Sequence, residues 1–531
     1  MFDYRRAGGC QGFDQVRNPL APARRGATVA VMMLRFALAA LLLTASPPLA
    51  AQEAEKPKAA ALEEAIPAPV RAVTRHKGNF GGSAIAYTAI TGETYLKDKD
   101  GKPNAAIFST TYLKDNPEPD RPITFLFNGG PGSGSLWLHM GAFGPRRVNI
   151  PDARDDGAPP YPITANPESL LDVTDLVFID PVGTGFSHAL GKTDPKIFWG
   201  VTADAKSVAA FIRLWLTEHG RWNAPKFLGG ESYGTTRSAA VVNELEGRYN
   251  DVGLNGVLLI STILDFSLES DAEGNEMQYV ILIPSMAATA QYHKKAGAGQ
   301  TTEAFVQAAR DFALGPYAAA LLKGKALPEA ERTAIRQRLA SFTGLSETYL
   351  ENANLRVNAN RFYKELLRDR GLTVGRLDAR YTGTDYDRAG EGPDNDPSFY
   401  GIDAAYPAAM NSYVRGDLAL KGIDRDYVSI GGVGDWDWKL GSRRDEQAYI
   451  TVAPYLSRAL RENSRMKIFV GQGYYDFATP FFAAEYSLGR PGFPDNRVEF
   501  NYYQSGHMMY VHDNDRTKLS NDIRAFIRRQ K

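Results

Sequence analysis

Five short apolar runs, four of them breaking abruptly into a glycine-rich or acidic turn, constrain this chain most. They are Pro122 to Phe127, Leu176 to Ile179, Lys226 to Leu228, Val257 to Ile260 and Ile468 to Val470. Runs this short and this apolar read as parallel strands buried on both faces. Helical patterns lie between them. Val208, Phe211, Ile212, Trp215 and Leu216 share one face of a helix that stops at Gly220. Alternating strand and helix predicts an α/β fold, a mostly parallel central sheet wrapped by helices, with functional groups at the carboxyl ends of its strands.

From residue 285 to 440 the pattern changes to Ala-, Leu-, Arg- and Glu-rich helices, including Glu303 to Phe312, Glu329 to Ser341 and Asn358 to Asp369. This segment is expected to be a mainly helical cap inserted into the sheet domain, dividing the core into residues 52–284 and 441–531. Residues 52–70 form an Ala-, Glu- and Pro-rich linker. Residues 1–51 are read as a signal peptide with an over-long start: Arg35, the apolar Phe36 to Leu43 and the small pair Ala50-Ala51 precede Gln52. The apolar stretch is too short for a stable span, so no membrane anchor is expected and the mature protein is placed in a bacterial periplasm or outside the cell.

Composition closes off other classes. Lys plus Arg number 61 against 61 Asp plus Glu, which gives no basic footprint for nucleic acid. The one cysteine, Cys10, excludes an intrachain disulfide and any cysteine-based metal centre. No metal or cofactor is expected.

Gly230-Glu231-Ser232-Tyr233-Gly234 follows a short strand and precedes the helix-compatible Thr235 to Leu245. That is the nucleophile-elbow pattern, in which a tight turn between small residues lifts the serine hydroxyl above the sheet. A serine needs a base to take its proton and an acid to hold that base, and on this fold the chain order is serine, acid, histidine. Of the seven histidines only His507 and His512 follow at a suitable place. His507 sits in Gly506-His507-Met508, directly after the strand-like Val498 to Tyr503, whereas His512 is expected on the surface of the following helix. For the acid, Asp476 leaves a strand through a glycine-rich loop, and Asp495 competes from a turn. Amides of Tyr233 and of the Gly129-Gly130 turn are candidate oxyanion donors.

Four segments taken together resemble the serine carboxypeptidase family: Asn128-Gly129-Gly130-Pro131-Gly132-Ser133, Asp180 to Ser187, Gly230 to Gly234, and Gly506-His507-Met508. The resemblance implies an α/β-hydrolase fold and release of C-terminal residues from a peptide substrate. It implies Ser232, Asp476 and His507 as the triad, Gly130 and Tyr233 as oxyanion donors, and Asn128, Gly129 and Glu231 as the groups that hold the substrate's terminal carboxylate. Three positions depart from the family pattern: Leu126 stands for a Trp, Ser133 for a Cys, and Ala142 for a Glu that commonly shares a proton with the one beside the nucleophile. Two carboxyls sharing a proton bind a carboxylate only in acid. Without the second, neutralisation of Glu231 by burial, or capture by Arg146 or Arg147, has to serve. An esterase or acyltransferase with the same triad, and an inactive peptide-binding hydrolase, are the alternatives. Asp385 to Gly390 begins like a calcium loop, but Ala389 lacks a ligand oxygen and a flexible acidic loop is expected. Trp436 and Trp438 are expected in packing or in a substrate groove.

Overall fold

The computed structural model describes residues 66–246, 251–440, 449–494 and 496–531. The signal segment, Cys10 and Asp495 lie outside the described residues. Nine strands form the path of the main sheet: β1 (Arg71–Phe80), β2 (Ser83–Lys97), β3 (Pro103–Lys114), β4 (Ile123–Phe127), β5 (Asp175–Asp180), β6 (Lys226–Ser232), β7 (Gly256–Thr262), β8 (Lys467–Gly473) and β9 (Val498–Tyr503). Their order is β1-β2-β3-β5-β4-β6-β7-β8-β9. The first three strands pair antiparallel, as does β3 with β5, and every pair from β5 to β9 is parallel. This is an α/β-hydrolase sheet. All five apolar runs are strands within it; β4 begins one residue inside its run, at Ile123, and the other four strands extend a residue or more beyond theirs.

Strand side chains alternate between two buried layers, which is why these strands are apolar at every position. Phe125, Phe127, Val177, Ile179, Leu228 and Leu259 face one core together with helix α1 (Val201–Glu218) and helix α2 (Tyr233–Leu245). Leu126, Phe178, Phe227, Leu258 and Phe469 face the other, covered by the C-terminal helix Asp513–Gln530. The expected face of α1 is buried throughout, and Phe125 meets Trp215 edge-on at 5.4 Å. Burial of this kind contributes roughly 1.5–3 kcal/mol for each large side chain.

Between β7 and β8 lie helix α3 (Met277–Tyr292), helix α4 (Thr302–Phe312), helix α5 (Glu329–Thr343) and helix α6 (Ala359–Glu365), which share a separate core. Residue 285 falls in the middle of α3, because Pro284 is accommodated inside the helix. The expected helix Asn358 to Asp369 is shorter, ending as α6 at Glu365 with a separate turn at Arg368–Arg370. Residues 402–427 behave differently from the rest of the insertion. Tyr406, Met410, Tyr413 and Tyr427 pack into the layer beneath the sheet and not into the helical core. Among the described residues no helix is long and apolar enough to cross a membrane.

Candidate active site

Ser232 ends β6 with φ 61° and ψ −131°, a backbone conformation in which a non-glycine residue is strained. Close packing makes this turn possible. A Cβ at Gly230 would lie 2.0 Å from the Gly234 carbonyl oxygen, so residue 230 has to be glycine while the chain doubles back into α2. Thr235 fastens the elbow by donating its hydroxyl to the Ser232 carbonyl at 2.7 Å.

The acid and the base are neighbours because β8 and β9 are parallel, with Gly473 opposite Tyr503. Each strand then opens into a loop at its carboxyl end, and the loops touch: Tyr475 N–H donates to the Ser505 carbonyl at 3.1 Å. Asp476 and His507, 31 positions apart, are thereby folded into a contact of 2.8 Å from His507 Nδ1 to Asp476 Oδ2. Both side chains are buried. Asp476 Oδ1 accepts the amides of Ala478 and Thr479, and the Thr479 hydroxyl donates to Oδ2 at 2.7 Å while standing 3.2 Å from His507 Nδ1. With its carboxylate so occupied, Asp476 fixes the ring. Burial by itself would lower the His507 pKa, but the charge and hydrogen bond of Asp476 outweigh it and hold the imidazole above its ordinary value.

The adjoining strand ties the elbow to the His507 loop. Thr262 of β7 pairs with Ser232, and the adjacent Ser261 donates its hydroxyl to the His507 carbonyl at 2.6 Å. His512 is elsewhere: it precedes the C-terminal helix and its Nδ1 lies 3.1 Å from Asp515.

At the end of β4 the backbone presses against the elbow. A Cβ at Gly129 would lie 2.5 Å from the Tyr233 nitrogen, so the two amide-bearing turns share one small space. Arg237, buried in α2, ties them. Its Nε meets Asp204 Oδ2 at 2.6 Å, its Nη1 donates to the Asn128 carbonyl, and its guanidinium lies over the Phe127 and Tyr233 rings. Asn128 uses its side chain both ways, donating to Glu231 Oε1 at 3.0 Å and accepting from the Leu138 amide at 3.0 Å. Glu231 is buried, and loss of hydration raises its pKa to about 7 against the nearby His507 charge.

Ala142 is buried in the lower core. Arg146 is engaged with Asp417 at 3.5 Å, and Arg147 stands among Arg516, Asp513, Glu168 and Tyr406. The Asp180 to Ser187 segment has a structural use: Asp180 Oδ1 accepts the Ser135 amide at 2.7 Å and the Tyr427 hydroxyl at 3.1 Å, which anchors the turn after β4. Trp436 and Trp438 both meet the Tyr233 ring edge-on, at 5.5 and 5.9 Å. Asp385 is held by Lys364 at 2.5 Å, a buried ion pair in the acidic loop.

Several residues escaped the sequence reading. The segment Arg376 to Ala379, deep in the insertion, is laced to both catalytic loops: the Arg376 carbonyl accepts Phe477 N–H at 3.1 Å, the Leu377 carbonyl accepts His507 N–H at 2.7 Å, and Ala379 N–H donates to Tyr475 at 3.0 Å. Asp378 Oδ2 also accepts the Gly506 amide at 3.1 Å. The first three are backbone contacts, which leave no side-chain signature. Thr479 had a signal, since a threonine three residues after an aspartate is placed to close a local turn on it. Glu269 lies near the same loops, and loss of hydration raises its pKa against the opposing charge of Arg376.

An α/β-hydrolase sheet with a strained elbow serine at the end of β6 defines a class, the serine-type hydrolases. A family model described as serine carboxypeptidase matches residues 91–511, and the chain belongs to that family. Among curated relatives, serine carboxypeptidase-like 13 of Arabidopsis thaliana is 30% identical over 159 residues, which cover 29% of this chain and 35% of that protein. Serine carboxypeptidase-like 38 of the same plant is 29% identical over 244 residues, covering 39% and 47%. The matched segments thus span about a third to a half of these relatives. A solved structure of a prohormone-processing carboxypeptidase from Saccharomyces cerevisiae aligns over 83% of this chain and 91% of that one, with 17% identity and a TM-score of 0.47.

Proposed function

We propose that this protein is a serine carboxypeptidase that releases C-terminal residues from peptides, and that the observation carrying this reading is the buried Asp476–His507 contact of 2.8 Å beside the strained Ser232. Ser232 Oγ attacks the carbonyl carbon of the last peptide bond as His507 Nε2 takes its proton. The oxyanion so formed is received by the amides of Gly130 and Tyr233. Collapse breaks the C–N bond, and His507 returns the proton to the leaving amine. Water, deprotonated by His507, then hydrolyses the acyl-enzyme. Asp476 orients the ring and stabilises its charged form. Asn128, Gly129 and Glu231 hold the substrate's terminal carboxylate, and Glu231 suits this while it keeps its proton. No step uses a metal or cofactor. Export is supported by the Met33 to Ala51 segment, and a mature N-terminus near Gln52 is expected from N-terminal sequencing.

The test is one peptide offered as free acid and as C-terminal amide, with products followed by mass spectrometry. Stepwise loss of residues from the free acid alone is expected, and Ser232→Ala should lower turnover about a millionfold. Equal cleavage of both forms would replace this reading with an endopeptidase or esterase.

A further inference from the structure

Glu231 commits one oxygen to Asn128 and turns the other, the buried Oε2, toward Tyr510. The Tyr510 hydroxyl is equally buried, and the two oxygens have only each other as a partner. The two residues are only 3% and 2% exposed. A carboxyl oxygen and a phenol that have only each other keep donor and acceptor capacity that a third oxygen can take up. Space for the ring is provided by Gly141, where a Cβ would lie 2.6 Å from Tyr510 Cε2 and 2.8 Å from the Tyr406 hydroxyl. The fold thus omits a side chain at residue 141 and admits a phenol in its place. Burial and then the Glu231 charge push the Tyr510 pKa far up, so its proton stays on the oxygen. A protonated Glu231 and a phenol offer two O–H donors and call for an acceptor with two oxygens.

We propose that Tyr510 is a binding residue for the substrate's terminal carboxylate, donating a hydrogen bond to one of its oxygens alongside Glu231. This rests on the carboxypeptidase reading, whose own failure appears separately, as wild-type indifference between free-acid and amidated peptide. The proposal is tested with Tyr510→Phe, which keeps the ring in its packing, on the two forms of the peptide. A hydrogen bond to a charged group is worth enough that KM for the free acid should rise about 10- to 100-fold, with kcat changed less than about twofold. The inhibition constant of the amidated peptide, measured as a competitor, and the rate of fluorophosphonate labelling of Ser232 should not follow that rise. Tyr510→Met, which fills the space without a donor, should give the same split. Equal changes for acid and amide in both variants, or no change in either, would overturn the proposal.

Discussion

Replacing Glu231 by Gln tests the electrostatics of the pocket most directly. Glu231 has a pKa of about 7 in the folded protein because it is buried. Below that pH it donates a proton to the substrate carboxylate, and above it two like charges face each other. At a separation of about 4 Å and an effective dielectric constant of about 20, the repulsion is about 4 kcal/mol, or about a thousandfold in affinity. KM for a free-acid peptide should therefore be flat in mild acid and rise about tenfold per unit beyond neutrality, reaching about ten times its floor at about pH 8. The inhibition constant of an amidated peptide, used as a competitor, should show no such rise. Gln keeps the shape and a donor but cannot ionise, so its KM should stay flat. The assay is the ratio of KM for the free acid to the competitive inhibition constant of the amide from about pH 5.5 to about pH 9, in which titration of His507 cancels. Stability gives an independent check. A carboxyl whose pKa is raised on folding stabilises most below its unfolded value of 4.5 and loses that contribution as pH rises through 7, a change of about 3 kcal/mol that the Gln variant should lack. A flat wild-type ratio, or a slope retained by Glu231→Gln, would refute the reasoning.

Other substitutions probe the supporting structure. Thr479→Val removes the hydroxyl that donates to Asp476 at 2.7 Å, and kcat should fall about tenfold with KM nearly unchanged. Arg237→Leu leaves Asp204 buried and unpaired, and guanidinium unfolding should show a loss of roughly 3–5 kcal/mol. Gly129→Ala forces a Cβ to 2.5 Å from the Tyr233 nitrogen, and turnover and fluorophosphonate labelling should both slow about 100-fold as the oxyanion donors separate.

The strands, the elbow and the helix α1 were legible because each rests on neighbours in sequence. Phe125 and Phe127 declare a doubly buried strand, and Gly230 and Gly234 declare a turn too tight for a Cβ. His507 was legible from chain order and its place after β9. Tertiary structure alone decided which groups surround these residues. Arg376 to Ala379 reaches the catalytic loops through backbone hydrogen bonds, and Arg237 joins α1 to the turn after β4. Tyr510 faces Glu231 only because Gly141, far away in sequence, makes room for its ring. Periodicity and turn chemistry act within a few residues and so are written in the sequence; contacts between distant segments depend on how whole layers settle, and only the folded chain specifies them.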